Sequence, residues 1–536
     1  MARDRRQGMM EAAMPGYRLP PPEAPVGPYF PAGFRLATGA TAGETLHPAA
    51  RFLFAGETIA VPSTPPHADY SRGTDPFADL AAWAANPGPL AGPPLVWIAA
   101  PERRTGLRIA PDGRSFQAGS ATAPLALAPR NPLNRSWADA STFEYLAART
   151  VTARGETGPG GEFVARTLWP EDWRVDAGAP AVPLAASRTP RLAIRGLLRS
   201  APRGGAASPP ETHPAWERVR GSRDWAGRPV LAFVLNGAQG DDDEAWAGHF
   251  ALATGRLPEG GRLSDLLVSN FYTLDSVSEK GILPAPVPLD NYLADLNSGQ
   301  AWYRPCYVML AILRDARAAD LVQGALNRLY LQFWRHQLEY RHSSMNCASI
   351  SVDLLRALGW ELRSRGPSDT LRGWLAVPAK VFSDGRLAPA RTAYEYLTED
   401  RTRLMPAAAF EEAVFSLMQL ARGAEPAQGK LAGMLAEDVV ALVGVRLPQI
   451  PSSRSLGTWP AANPREYLNA LPADPAELKV VPVPPRPFPP ELRDADLRPE
   501  PPRRSSLPIA LWSATGILPL AWILGALWRA LRPARR

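Results

Sequence analysis

The sequence predicts an α+β protein with a β-rich amino-terminal domain, a mixed central domain, a helical extension and one carboxy-terminal transmembrane helix. Short apolar runs broken by Gly, Pro, Asn and Asp between residues 34 and 183 predict short strands. Apolar residues at helical spacing dominate after residue 320. Residues 505–528 carry no charged side chain. A chain of 536 residues is also too long for one ordinary core, so several folded parts are expected.

Changes in composition along the chain predict its division into parts. Proline is frequent, at 59 residues, and much of it falls in tracts that favour extended chain over packed structure. The stretch 199–215 has the composition of a linker. The predicted parts are a disordered Pro-rich leader (1–30), a β-rich accessory domain (31–198), a domain of strands and helices (216–366), a helical extension (367–447), a Pro-rich tether (448–504) and a transmembrane helix (505–528).

Charge and cysteine content exclude several classes of function. The net charge is +7, but no stripe of basic residues interleaved with aromatics is present, so no nucleic-acid partner is expected. Two cysteines exclude a disulfide framework and an all-cysteine zinc site. The Gly-x-Ser-x-Gly elbow, the Gly-rich phosphate loop and His-Glu-x-x-His are all missing from the sequence. We therefore expect neither a cofactor nor a metal ion.

The uncharged stretch 505–528 predicts a membrane anchor, with the lipid bilayer as partner. Its central 22 residues would form a helix of about 33 Å, enough to cross a bilayer core. Arginines flank both ends, and Trp528 stands where an interfacial aromatic belongs. No apolar run follows the basic start of the chain, so no secretory signal is predicted. The arginine-rich tail favours a cytoplasmic carboxyl terminus, which would place the body of the protein on the other side of the membrane. The missing secretory signal favours a body that faces the cytoplasm, and we expect this second orientation.

The central domain contains predicted strands and helices in an order that brings polar residues together. Apolar runs predict strands at Val230–Leu235, His249–Gly255 and Leu266–Tyr272, and helical spacing predicts a long helix at Asp320–Tyr340. A further amphipathic helix carries Cys347 at its start and ends at Gly359.

Cys347 is the candidate nucleophile. Ser343, Ser344 and Asn346 are good amino-terminal caps, so the thiol lies where the helix dipole and the unpaired first-turn amides favour a thiolate. The same amides, with Asn346 and His342 beside them, are candidates for binding an oxyanion or positioning substrate. The alternative is that Cys347 is a small core hydrophobe, as most helix-facing cysteines are.

Two histidines are candidate bases for Cys347. His342 is five residues upstream, and His249 begins a strand that can hold an imidazole rigidly. A strand-borne base needs a partner for its second ring nitrogen. Asn270 on the following strand is the candidate for that role, and Tyr272 and Asp275 are alternatives.

This arrangement resembles the circularly permuted papain-like proteins of the NlpC type. The resemblance lies in Gly248-His249 at the start of a strand, a second strand, and Asn346-Cys347 opening a helix, and it covers residues 228–365. That superfamily includes uncharacterised membrane-associated bacterial families and the lecithin:retinol acyltransferase-like group. The resemblance implies that residues 216–366 form a permuted papain-like core of antiparallel sheet plus helices. It also implies Cys347 as nucleophile, His249 as base and a third polar residue from the next strand, for which Asn270 is the nearest match.

The resemblance also implies a function. Members of the superfamily act on peptides, amides and lipid esters through a thioester, so we expect a membrane-anchored thiol hydrolase or acyltransferase in a bacterial inner membrane. Two alternatives remain at this point: a catalytically inactive membrane-tethered scaffold, and a protein that binds cell-envelope ligands.

Overall fold

The computed structural model contains helices and sheets in separate layers, which confirms the α+β class. It describes residues 26–38, 43–44, 53–54, 58–62, 74–127, 140–182, 184, 189–199, 209–237, 248–273, 282–296, 299–302, 304–334, 337–384 and 387–450, and isolated positions between 460 and 474. The predicted leader up to residue 25, most of the tether and the predicted transmembrane helix lie outside the described residues.

A seven-stranded sheet forms the centre of the protein. Its strands are β11 (Glu211–Glu217), β12 (Pro229–Asn236), β13 (His249–Arg256), β14 (Leu267–Thr273), β15 (Ile282–Pro288), β16 (Cys306–Leu313) and β17 (Val439–Leu447). Their order across the sheet is β11-β17-β16-β12-β13-β14-β15, and every neighbouring pair is antiparallel. The sheet therefore joins strands from before, within and after the predicted mixed domain.

A five-stranded closed barrel and two smaller sheets precede the central sheet in the chain. The barrel strands are β6 (Glu102–Ile109), β7 (Ser115–Ala118), β8 (Ala121–Leu127), β9 (Val151–Thr157) and β10 (Phe163–Pro170). The smaller sheets contain β1 (Phe34–Thr38), β2 (Gly43–Glu44), β3 (Leu53–Phe54), β4 (Thr58–Pro62) and β5 (Val96–Trp97).

Several helices cover one face of the central sheet. The helices of the described residues are, in chain order, α1 (Pro76–Ala85), α2 (Ala140–Ala147), α3 (Pro190–Arg199), α4 (Leu289–Ala294), α5 (Arg317–Trp334), α6 (Cys347–Ala357), α7 (Thr370–Asp384), α8 (Leu387–Thr398), α9 (Arg401–Leu404), α10 (Pro406–Ala421) and α11 (Lys430–Asp438). Buried residues of α5, α6, α10 and α11 share one core with alternate residues of the strands.

The barrel and α4 cover the other face. Val230, Ala232 and Val234 of β12 share a second core with barrel residues, whereas Leu231 and Phe233 belong to the helical core. Because side chains alternate along a strand, the fully apolar run of β12 predicts burial on both faces, and both faces are buried.

Three buried ion pairs attach the barrel to the sheet domain. They are Arg154–Asp290 at 2.7 Å, Arg166–Asp295 at 3.2 Å and Arg103–Asp265 at 2.6 Å. Charges removed from water need such partners, so these pairs fix which barrel residues meet which part of the sheet.

Three predicted elements are corrected by the structure. The helical extension was expected to continue through residue 447, but the chain forms β17 from Val439, because a β-branched apolar run pairs well between β11 and β16. The stretch 199–215 was expected to be a linker, but β11 begins at Glu211. The long helix ends at Trp334 and does not reach Tyr340.

Candidate functional site

The helix that carries Cys347 begins where the sequence predicts. Asn346 is its cap: the side-chain oxygen accepts hydrogen bonds from the backbone N–H groups of Ala348 at 2.9 Å and Ser349 at 3.0 Å. The Ser349 hydroxyl accepts the Asn346 backbone N–H at 2.7 Å, which completes a capping box. The Asn346 amide nitrogen donates to the carbonyl of His342 at 2.9 Å. Asn346 thus fixes the start of the helix, and its side chain is fully engaged there.

The sulfur of Cys347 lies against the beginning of β13. The backbone N–H of Phe250, the residue after His249, hydrogen bonds to the sulfur, and so do the hydroxyl of Tyr340 and the N–H of Ala348. The positive charge of Arg304 acts on the same atom. All four interactions favour the thiolate and lower the pKa of Cys347.

Burial opposes these interactions. Cys347 is only 4% exposed, and the loss of water raises the pKa of its thiol above the ordinary value by more than the four interactions lower it. The resting residue is therefore a neutral thiol near pH 7. Its surroundings nevertheless contain two donors outside the helix cap, the Phe250 N–H and the Tyr340 hydroxyl, that would meet negative charge on the sulfur or on an oxygen bound next to it.

Tyr340 is held firmly beside the sulfur. Its hydroxyl accepts the backbone N–H of Cys347 at 3.3 Å, and its ring packs between Phe271 at 5.3 Å and His342 at 5.1 Å. Burial raises the pKa of Tyr340 well above its usual value, so the hydroxyl stays protonated and remains a donor. A tight turn between Arg341 and Met345, closed by two backbone hydrogen bonds, returns the chain from Tyr340 to the helix.

His249 begins β13 next to this cluster. Gly248 before it has φ +92°, and a Cβ there would lie 2.4 Å from the carbonyl oxygen of Asn236, so only glycine fits. The His249 ring lies 6.4 Å from the ring of Phe271 and 6.0 Å from that of Tyr292. Phe271 packs with the helical core and Tyr292 with the barrel core. The imidazole therefore lies at the end of the sheet, between the helical layer and the barrel layer.

The imidazole is not hydrogen bonded to the sulfur. Within the described part of the chain, the buried Nε2 of His249 has no hydrogen-bond partner. Burial, with a smaller effect of the Arg304 charge, lowers the pKa of His249 from 6.5 to about 3. The ring is therefore neutral at physiological pH, which is the form that can accept a proton.

The other predicted site residues are placed as follows. Asn270 is buried in β14, the strand next to β13, and no hydrogen bond joins it to His249 among the described residues. The ring of His342 contacts the ring of Tyr340, and its backbone carbonyl accepts a hydrogen bond from the side-chain amide of Asn346. Asp275 lies outside the described residues, as does the side chain of Tyr272.

The second cysteine occupies a different environment. Cys306 pairs with Asn236, which pairs with His249 on its other side, so the three residues form one row across adjacent strands. The Asn236 amide donates to the Cys306 sulfur at 2.9 Å and its oxygen accepts from the hydroxyl of Tyr292. Burial raises the pKa of Cys306 to about 12. Cys306 is thus a core residue that faces the barrel.

Other potential sites are separate from Cys347. A cavity of about 430 Å³ lies between α1, α5 and α11, lined by Trp83, Gly324 and Lys430 among others, and none of its lining residues belongs to the Cys347 cluster. The described residues contain no group of three or more His, Cys, Asp or Glu side chains arranged to hold a metal ion. Of the helices in the described ranges, none is both long and apolar enough to cross a bilayer.

Sequence reasoning missed three parts of the cluster: Tyr340, Arg304 and the Phe250 amide. Tyr340 was placed at the end of the preceding helix, although its position seven residues before Cys347 and its bulk were available as signals. Arg304 follows a polar loop and reaches the site only through the packing of β16 beside β12. A backbone amide has no signal in a sequence.

Comparison with family models, with curated proteins and with solved structures returns no match to this chain.

Proposed function

We propose that the protein is a membrane-anchored thiol hydrolase or acyltransferase that uses Cys347 to attack an amide or ester carbonyl. The observation that carries this proposal is the setting of the Cys347 sulfur. It lies at a capped helix start, receives hydrogen bonds from the Phe250 amide and the Tyr340 hydroxyl, and adjoins the strand start that carries His249. A cysteine that only fills space needs no such group of donors.

The chemistry would proceed through a thioester. As the sulfur attacks the carbonyl carbon, the thiol proton passes to a nitrogen of His249. The carbon–nitrogen or carbon–oxygen bond of the substrate then breaks, and the imidazolium returns the proton to the leaving group. Water, or an acceptor hydroxyl or amine, finally attacks the thioester and releases Cys347 as a thiol.

With both groups neutral at rest, attack by Cys347 would require general-base catalysis, and His249 would have to regain basicity when substrate is bound. Burial keeps both Cys347 and His249 neutral at rest, so the pair starts as thiol and imidazole rather than as an ion pair. On this route the imidazole turns toward the sulfur when substrate enters, since hydrogen bonds of unliganded sites often form only in the complex. The Phe250 amide and Tyr340 would then stabilise the oxyanion of the tetrahedral intermediate.

Membrane attachment is part of this proposal and rests on the sequence of residues 505–528. It would set the protein on a bacterial inner membrane and bring lipid esters, as well as peptides and amides, within reach of the site.

A second candidate is a membrane-tethered protein without turnover. It is favoured by the burial of the Cys347 sulfur and by the missing hydrogen bond between that sulfur and His249 in the described residues. Such a protein would act as a scaffold or bind cell-envelope ligands.

Hydrolysis of activated esters separates the two candidates. The full chain in detergent or nanodiscs is assayed against p-nitrophenyl esters of increasing acyl length, beside the variants Cys347→Ala and Cys306→Ala. The proposal expects turnover by the wild type and by Cys306→Ala, and its loss in Cys347→Ala. Equal release by all three proteins would favour the scaffold.

A further inference from the structure

Exposed apolar side chains are concentrated on one helix. Large apolar side chains are exposed at six positions in the described residues, and three of the six lie within five residues on α7: Leu371 at 70%, Trp374 at 58% and Leu375 at 44%. Pro378, one turn further, is exposed as well. A cluster of this kind, unlike a single exposed leucine, marks an interaction surface.

The four positions form one stripe. Their spacing of three, four and seven residues places them on the same side of a helix. The opposite side packs on α8, where a Cβ at Gly373 would lie 2.7 Å from Thr398. The stripe therefore points away from the side that packs on α8, and the ring of Trp374 at its edge lies 5.3 Å from the ring of Tyr394.

We propose that α7 lies in the interface of a lipid bilayer, with Leu371, Trp374, Leu375 and Pro378 inserted among the lipids. This inference rests on the membrane attachment in the proposed function and is independent of the thiol chemistry. A helix with an exposed apolar stripe and a tryptophan at its edge is the kind that lies in the plane of a membrane surface.

The rest of the chain favours lipid over another occupant. Residues 505–528 supply an uncharged segment flanked by arginines, so the same molecule is expected to be held at a bilayer. Ala461 is buried against the body, so the chain free to extend begins after residue 474. Residues 475–504 would reach on the order of 90 Å when extended, and so allow α7 to meet the membrane. Residues 370–398 contain four basic and two acidic residues, which suits anionic headgroups.

The stripe is connected to the Cys347 cluster. Glu395 of α8 accepts a hydrogen bond from the hydroxyl of Ser343 at 2.6 Å, and Ser343 lies in the turn between Tyr340 and Cys347. Docking of α7 would thus bring the turn that carries Ser343 toward the membrane surface.

Photolabelling from the bilayer tests the proposal. The full chain is reconstituted into vesicles of phosphatidylethanolamine and phosphatidylglycerol that contain a lipid with a diazirine near its headgroup, and the adducts are mapped by mass spectrometry after irradiation. Val219 and Leu192, exposed at 66% and 60% on other parts of the surface, are matched internal controls. We expect several-fold more adduct on residues 371–378 than on either control.

Substitution in the stripe gives a second readout. The double variant Leu371→Gln with Leu375→Gln should keep its unfolding temperature, because both side chains are exposed, and should lose most of the adduct on α7. Val219→Gln should leave the labelling of α7 unchanged.

Three outcomes would overturn the proposal. Adduct on 505–528 with no excess on α7 would reject the docked helix and leave the anchor intact. A dimer in detergent that the double variant dissociates would assign the stripe to a second copy of the chain. No adduct on either segment would reject the membrane attachment itself, and the docked helix with it.

Discussion

The hydroxyl of Tyr340 accepts the backbone N–H of Cys347 at 3.3 Å and also hydrogen bonds to its sulfur. One side chain thereby contacts the helix start and the candidate nucleophile together. Because its raised pKa keeps it protonated, Tyr340 can donate to a thiolate or an oxyanion at any physiological pH.

Tyr340→Phe should make Cys347 a weaker nucleophile. Loss of a hydrogen bond to the charged sulfur should raise the pKa of Cys347 further, and loss of a buried hydrogen bond should cost about 1 kcal/mol of folding free energy. The pH dependence of Cys347 alkylation measures the first effect, and urea unfolding measures the second. Tyr307→Phe is the control. It removes a hydrogen bond of 2.7 Å to the carbonyl of Leu198, and this bond lies outside the Cys347 site. An unchanged alkylation profile in Tyr340→Phe would remove this tyrosine from the mechanism.

His249 should make the protein less stable as the pH falls. Its folded pKa of about 3 lies below the unfolded value of 6.5, so between these values the unfolded chain binds a proton that the folded chain does not. This contribution to stability is complete above pH 6.5 and is lost progressively toward pH 3. Denaturant midpoints between pH 6.5 and about 5, before most carboxylates titrate, should fall in the wild type and fall less steeply in His249→Gln. If the denaturant midpoints of the wild type and of His249→Gln fell equally with pH, the imidazole of His249 would not be buried as the structure describes.

Asn346→Ala should loosen the helix start that holds the sulfur. The lost cap should cost about 1 kcal/mol of unfolding free energy and alter the alkylation rate of Cys347. Asp75→Ala is a matched control, since Asp75 caps α1 through the N–H groups of Phe77 at 3.0 Å and Ala78 at 2.8 Å. Both variants should lose similar stability, and only Asn346→Ala should change the alkylation rate of Cys347. A changed alkylation rate in Asp75→Ala would point to general loosening of the structure instead.

The barrel should depend on its buried ion pairs. Arg154→Met leaves the carboxylate of Asp290 buried without its partner, so it should cost about 3–5 kcal/mol in denaturant unfolding. Arg391→Met breaks an exposed pair with Glu395 and should cost about 0.5 kcal/mol or less. Similar costs for the two variants would mean that the barrel is not held by this pair.

Local signals explain what could be predicted from the sequence. Asn346 and Ser349 form a capping box from residues three apart, and Gly359 with φ +81° ends the same helix, so both ends follow from neighbouring residues alone. The buried strand at β12 follows from an unbroken apolar run. Such features need no knowledge of the remaining chain.

Tertiary pairing explains what was missed. Pro284, Pro286 and Pro288 argue against a strand, yet β15 forms at the edge of the sheet, where a strand tolerates residues without an N–H. Val439–Gly444 is a strand because β11 and β16 lie on either side of it, although its apolar run does not distinguish a strand from a buried helix. The position of Tyr340 at the sulfur likewise depends on a turn that no periodicity reports.

The most direct test is the mass of the protein during exposure to an acyl donor. Full-length wild type, incubated with an activated ester and quenched in acid, should gain one acyl group that hydroxylamine removes and that peptide mapping assigns to Cys347. His249→Gln should form this adduct much more slowly, and Cys306→Ala should form it as the wild type does. An adduct that never forms, or one that forms equally on Cys306, would contradict the proposed role of Cys347.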